Sequence, residues 1–331
     1  EVTTASKKAQ NIEETPSAIY VITKEDLQFF GSNNVAEALR MVPGIDIIQG
    51  GDMNYEVTVR GISRSQYNTS NKVLWLINGR SIYNDAIGGV RIQSIPVTMD
   101  DIERIEVIRG AGSSLYGANA FQGIVNIITK NPDDMQGFHG KVAYGNLNQI
   151  NTSLRYGGSF GEKLTYKASL GYDNVDKPEK RWSDLSSDSI YTLQNMGYAK
   201  DDINAYNALY GNIGLHYDIK ENSSLEFSAG FSDNEADAFY VYPGDISYLD
   251  YFTQLDYKDE KNSFRAYFTG QTTQDGYEIR RYTKIIEPDP ADSAETAYLD
   301  AMGRDQIVVN EDGVQITNQM LDFEYQRMFT F

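Results

Sequence analysis

Four glycines between two alternating apolar runs mark the stretch IERIEVIRGAGSSLYGANAFQGIVNIITK, Ile102 to Lys130. A glycine-rich turn after a strand can present backbone N–H groups to a phosphate at a helix start. The spacing argues against that chemistry, because Gly110, Gly112, Gly117 and Gly123 give G-x-G-x-x-x-x-G. This is neither the dinucleotide fingerprint nor a P-loop, and no Lys-Ser/Thr pair follows. Val107 to Arg109 and Gly123 to Thr129 read as strand segments, with one short helical turn around Ser113 to Ala120. GGSFG, Gly157 to Gly161, fits the G-x-S-x-G nucleophile pattern. It lies between two strand runs rather than between a strand and a helix, so the elbow that exposes such a serine is absent. His139 and His216 are far apart, each in a strand run, which argues against protein-ligated zinc or haem. Asp233, Glu235 and Asp237 could collect calcium, but their spacing is not that of an EF-hand and a solvated loop is the simpler reading.

Composition narrows the class. The 331 residues, a length that suggests about two domains, include 24 Tyr, 28 Gly and only 8 Pro, a tyrosine-rich and polar chain. No apolar run reaches the roughly 18 residues a membrane helix needs. A membrane β-barrel stays open, because its strands alternate lipid-facing and lumen-facing residues and never form a long apolar block. With no Cys there is neither a disulfide framework nor a thiolate metal site. The opening EVTTASKK lacks a charged n-region and apolar h-region, as expected of a cytosolic chain or of a mature secreted form. A net charge of -18 without a basic stripe disfavours nucleic acid as a partner. Much of that charge falls in candidate loops, Asp173 to Asp202 and Glu278 to Asp312.

The elements that would carry these residues change in kind near residue 135. Before it, helix and strand signals mix. Thr23 is placed to cap one short helix and Asn33 or Asn34 a second, which ends at Pro43-Gly44. Short strands are predicted at Ala18 to Ile22, Ile45 to Ile48, Glu56 to Arg60, Val73 to Ile77 and Ile105 to Ile108, a compact α+β domain. After NPDDMQG the period is two. Leu164, Tyr166, Ala168, Leu170 and Tyr172 share one face, with Thr165, Lys167, Ser169 and Gly171 on the other. About eight such strands run from Gly137 to Phe331. Tight turns near Gly161-Glu162, Lys220 to Ser223 and Lys258 to Asn262 alternate with long polar segments at about 174–206, 233–247 and 277–315. Short turns on one side and long loops on the other describe an outer-membrane barrel; a soluble antiparallel sandwich is the alternative.

Taken in order, PSAIYVITKEDL, ALRMVPGIDI, VTVRGIS, LWLINGR and the glycine-rich stretch resemble the plug domain of TonB-dependent outer-membrane receptors. The resemblance covers about residues 1–132, and residues 133–331 look like the N-terminal portion of that family's transmembrane β-barrel. The fold it implies is an α+β plug followed by antiparallel barrel strands. About eight strands cannot enclose a plug of this size, and plugged transporters have about 22. The chain is therefore expected to be the N-terminal part of a longer receptor, or to be completed by a second chain.

The resemblance also implies roles. The glycines would be joints where the backbone turns sharply or approaches closely inside a barrel. Arg60 and Arg109 match plug positions that face carboxylates on the barrel wall, where a guanidinium can pair bidentately. Glu1, Val2, Thr3, Thr4 and Ala5 resemble the segment that engages TonB, with its inner-membrane energy-transducing complex, by strand addition. Ligand contact would fall on Arg64, Gln66, Tyr67, Tyr83, Asn84, Arg91 and Tyr116, cations, amides and phenols suited to an anionic metal chelate. Expected surroundings are outer-membrane lipid and lipopolysaccharide of a Gram-negative bacterium. No catalysis and no resident cofactor or metal are implied. A ferric siderophore is the first expectation for the ligand; cobalamin, a glycan or a peptide, and a non-transporting surface-binding protein or adhesin, are the alternatives.

Overall fold

The computed structural model describes residues 2–4, 11, 18–50, 54–61, 72–83, 89–92, 95–110, 112, 116–117, 119–176, 204–237, 245–273 and 317–327. Strand β1 (Ile19–Thr23) leads directly into helix α1 (Lys24–Phe30). Thr23 closes a capping box with Asp26, and Gly31 ends the helix in the left-handed conformation. Asn34 caps α2 (Val35–Leu39), whose side-chain oxygen accepts from the Glu37 N–H. The helix is shorter than the sequence suggests, because Arg40, Met41 and Val42 continue as turns before the chain reaches Pro43.

Strands β2 (Ile45–Gly50) and β3 (Asn54–Val59) form a hairpin. Strands β4 (Val73–Ile77), β5 (Arg80–Ser81), β6 (Ile102–Arg109) and β7 (Gly123–Thr129) join β1 in one sheet of order β1-β6-β7-β4-β5. β4 and β7 are parallel and central, and all five residues of β4 are buried, as expected of a strand covered on both faces. Ile22, Leu39, Trp75, Ile105 and Ile127 form the middle of the core. Gly123 answers one question posed by the glycines. A Cβ there would lie 2.6 Å from the Ile108 carbonyl oxygen, so a side chain would push β6 off β7. Gly110, at φ +137°, supplies the turn that ends β6.

The remaining strands form one eight-stranded antiparallel sheet in sequence order: β8 (Gly137–Tyr144), β9 (Ile150–Phe160), β10 (Leu164–Asp176), β11 (Asn204–Lys220), β12 (Ser223–Asp237), β13 (Asp245–Lys258), β14 (Asn262–Thr273) and β15 (Thr317–Arg327). GGSFG ends β9 and enters a tight turn, where Gly161 has φ +68°. Among the described residues all eight of these strands lie in one sheet rather than two, which departs from the sandwich alternative.

The burial of the sheet is the reverse of a soluble protein's. On β10 the polar face is covered, with Lys167 and Ser169 each 6% exposed, while Leu170 stays 43% exposed. Phe138, Val142, Ile213, Leu321 and Phe323 are exposed on the other strands. The polar face packs on the N-terminal domain, and the apolar face is the arrangement of a barrel wall in lipid.

Candidate functional site

Three groups of side chains tie the N-terminal domain together and to the wall sheet. The first holds the chain's beginning. Glu106 on β6 lies opposite Asn126 on β7, and this pairing builds a polar pocket within an apolar sheet. The Glu106 carboxylate is fully buried and accepts from Thr3 N at 3.0 Å, Thr4 N at 2.8 Å, Thr4 Oγ1 at 2.5 Å and Arg104 Nε at 2.8 Å. Asn126 Nδ2 donates to Thr4 Oγ1 at 3.0 Å, and the Tyr116 hydroxyl donates to the Thr4 carbonyl at 2.9 Å. Burial pulls the Glu106 carboxyl up, but the four donors outweigh it and hold the group below the usual carboxylate range. Burial pushes the Tyr116 phenol upward, so it stays a donor.

Asn126 carries the connection further. Its amide oxygen accepts from Gly79 N at 3.2 Å, in the turn before β5. Gly79 has φ +81°, and a Cβ there would meet Arg265 Nη1 of the wall at 2.3 Å. The N-terminal segment and the turn that approaches the wall are thus linked through one amide.

The second group clamps the domain to the first four strands of the wall, through β9, β10 and β11. Lys167 Nζ donates to Asp101 Oδ1 at 3.1 Å, to Thr129 Oγ1 at 3.0 Å and to the Lys130 carbonyl at 2.7 Å. Asp101 is fully buried, and burial pushes its carboxyl up against the pull of Lys167. Asp100 accepts from Ser153 Oγ at 2.6 Å, and its carbonyl accepts from Arg155 Nη1 at 2.5 Å. Asp133, in the link to β8, accepts from Thr165 Oγ1 at 2.5 Å and lies 3.7 Å from His216 Nε2.

The third group faces the last four strands of the wall, at β13. Arg80 Cζ lies 3.8 Å from the Phe252 ring centroid, and Arg91 Cζ lies 4.3 Å from that of Tyr248. Both arginines and Tyr83 line a cavity of about 70 Å³ between domain and wall.

Residues 11–124 match the family model described as TonB-dependent Receptor Plug Domain. The N-terminal domain is a TonB-dependent receptor plug domain. That domain is the plug, and the eight-stranded sheet is the wall beside it. The chain is 28% identical over 246 residues to "Vitamin B12 transporter BtuB" of Vibrio vulnificus, covering 70% of this chain and 39% of that protein. It is 36% identical over 156 residues to "Iron-regulated outer membrane virulence protein" of Vibrio cholerae serotype O1, covering 45% of this chain and 22% of that protein. In fold it resembles the ferric yersiniabactin uptake receptor FyuA from Yersinia pestis, with a TM-score of 0.55 at 17% identity, over 78% of this chain and 41% of that one. The chain thus spans well under half the length of these relatives.

Of the expected ligand residues, the plug brings Tyr83 and Arg91 to one cavity. Tyr116 sits apart, on the N-terminal segment. Arg64, Gln66, Tyr67 and Asn84 lie outside the described residues, as do Glu1 and Ala5 of the N-terminal segment. Val2 and Thr4 are each 1% exposed, so this segment is packed into the plug rather than extended from it. Arg60 is exposed, and Arg109 Nη1 donates to the Pro43 carbonyl of the plug itself at 2.7 Å. Among the described residues, neither pairs with a carboxylate of the wall. Lys167, Arg155 and His216 of the wall reach the plug. The alternation that put Lys167 on the polar face of its strand held the signal for the first of these; nothing local singled out Asp100 or Asp101.

Proposed function

We propose that residues 1–132 are the plug and 133–331 the first part of the wall of an energised uptake receptor. It takes an extracellular ligand inward and performs no covalent chemistry on it. The carrying observation is the packing of Thr3 and Thr4 on Glu106, with Tyr116 of the glycine-rich turn bonded to the same segment. A segment stored on the plug by a few hydrogen bonds can be released to TonB, whose inner-membrane complex would supply the pull. A ligand that shifts the Tyr116 turn changes the cost of that release. The apolar outer face of the wall supports contact with outer-membrane lipid and lipopolysaccharide, and the charge of -18 argues against nucleic acid.

The ligand we favour is a small metal chelate, first a ferric siderophore, because Tyr83 and Arg91 offer a phenol and a cation to an anionic chelate. Cobalamin is the second reading, favoured by the name of the Vibrio vulnificus relative. The test is growth of a strain lacking the gene, supplied with single purified ferric siderophores under iron limitation, or with cobalamin as the sole source of that vitamin. Rescue by one compound, lost on deletion of Glu1 to Ala5 while surface binding persists, is the expected result. Surface binding without uptake in the intact receptor would overturn transport in favour of an adhesin.

A further inference from the structure

His216 sits where the link from β7 to β8, residues 130–136, meets the wall, and carboxylates surround it. The imidazole is 10% exposed. On its own strand Asp218 Oδ1 lies 3.4 Å from Nε2, and across the ladder on β12 Glu226 Oε1 lies 3.4 Å from Nδ1. From the link, Asp133 Oδ2 lies 3.7 Å from Nε2. β10 sets uncharged Thr165 opposite the ring, and the Thr165 hydroxyl donates to the other oxygen of Asp133. The cations nearby are engaged: Lys167 is held by Asp101, and Lys163 Nζ points to the Ile219 carbonyl at 3.5 Å. Beyond β12, β13 sets Asp256 opposite Glu226 and Lys258 opposite Ser224, and Asp256 is held by Arg265 Nε.

A neutral imidazole has one N–H and one lone pair. With carboxylates beside both nitrogens, that lone pair must face one of them, and only the doubly protonated ring offers a proton on each side. Histidine is also the side chain that changes charge nearest neutral pH. We propose that His216 is a pH-dependent latch between the link and the wall. Charged, it draws Asp133 to β11 and pins the link; neutral, it leaves Asp133 beside Asp218 and Glu226 without a cation among them. The latch is closed above the titration of these carboxylates and opens as pH rises through that of His216. The three carboxylates are about half exposed, and Thr165 holds Asp133 in either state. The expected bias toward a pinned link is therefore only about two- to fivefold, the size of a partly screened pair.

A nitroxide tests the latch. Q136C labels an uncharged, exposed position of the link in the complete receptor freed of other thiols. Its EPR spectrum in detergent is followed from about pH 5 to about pH 10, across the titration of an imidazole. The ratio of mobile to immobile label should rise about two- to fivefold with pH. In H216Q and in D133N it should be high at the acid end already and stay flat. A flat profile in the labelled receptor with His216 and Asp133 intact overturns the proposal, as does a pH response that survives in either variant. A merely packing role for the ring would shift the ratio equally at every pH. D133N alters the charge of a half-exposed side chain, so folding should survive there, and it decides by the same criterion should H216Q not fold. The measurement involves no uptake, so a failure of the transport reading leaves it intact.

Discussion

The two halves of the plug–wall seam hold the plug by different physics. In the first four strands of the wall, Lys167 reaches Asp101 and two further oxygens of the plug, and Asp100 collects Ser153 and Arg155. In the last four, Arg80 and Arg91 rest on the aromatic faces of β13 beside a cavity. Charge-assisted hydrogen bonds are directional and fix one geometry, whereas a cation on a ring tolerates sliding. The first half anchors the plug where it leaves for β8. The second half gives it room to move.

The difference can be broken at the anchor. K167M leaves Asp101 buried without its cation, and removing one partner of such a pair costs about 3–5 kcal/mol. Hydrogen exchange at the buried amides of β6 and β7 should show the loss. The K167M/D101N double variant should recover most of it. Full stability in the single variant would mean that this half does not anchor the plug.

The knot around Glu106 ranks next. E106Q weakens the acceptor of four donors, and the expected cost to the docked segment is about 1–3 kcal/mol. Hydrogen exchange at the Thr3 and Thr4 amides should accelerate, with the Trp75 core little changed. The pH dependence has a definite sign. Glu106 is held below its unfolded value, so its contribution is complete above the ordinary carboxylate range and is lost as pH falls through the depressed value. The wild-type segment should therefore loosen in acid, and the E106Q segment should show no such acid transition.

The yielding half should respond less. F252L removes the ring under Arg80 at a cost of roughly 1 kcal/mol, and combining it with R80M should show coupling between the two. A cost as large as that of K167M would erase the distinction between the halves. The smallest effect is expected at Lys24, whose 3.1 Å contact with Glu103 is solvent-exposed. K24A should leave the unfolding midpoint unchanged within error.

Local chemistry was legible where it is local in sequence. Thr23 announced its helix because an N-cap oxygen serves an N–H three residues on, and Val73–Ile77 announced a buried strand by an unbroken apolar run. The end of α2 was misjudged, because Pro43 marks where a helix must have stopped and not where it stops. Arg60 and Arg109 read as wall contacts by motif, while among the described residues Arg155, from the sheet, meets a plug carbonyl. Carbonyl acceptors leave no trace in a sequence. Nothing in the local sequence sets Asp100 and Asp101 apart, and only a lysine arriving 66 residues later makes one of them a buried counter-ion.

The sequence by itself determined the two grammars of this chain, the helix caps, the glycine joints and the period-two strands, since each follows from forces acting over a few residues. It could not determine which face of those strands turns inward, because alternation is symmetric between a core of oil and a core of polar groups. The tertiary structure decided it: the plug occupies the inside, its surface is polar, and the apolar residues are therefore left facing out. It likewise decided that Thr3 and Thr4 lie on Glu106, since the pairing of β6 with β7 brings that carboxylate to Asn126 and the turn between them brings Tyr116 to the same segment.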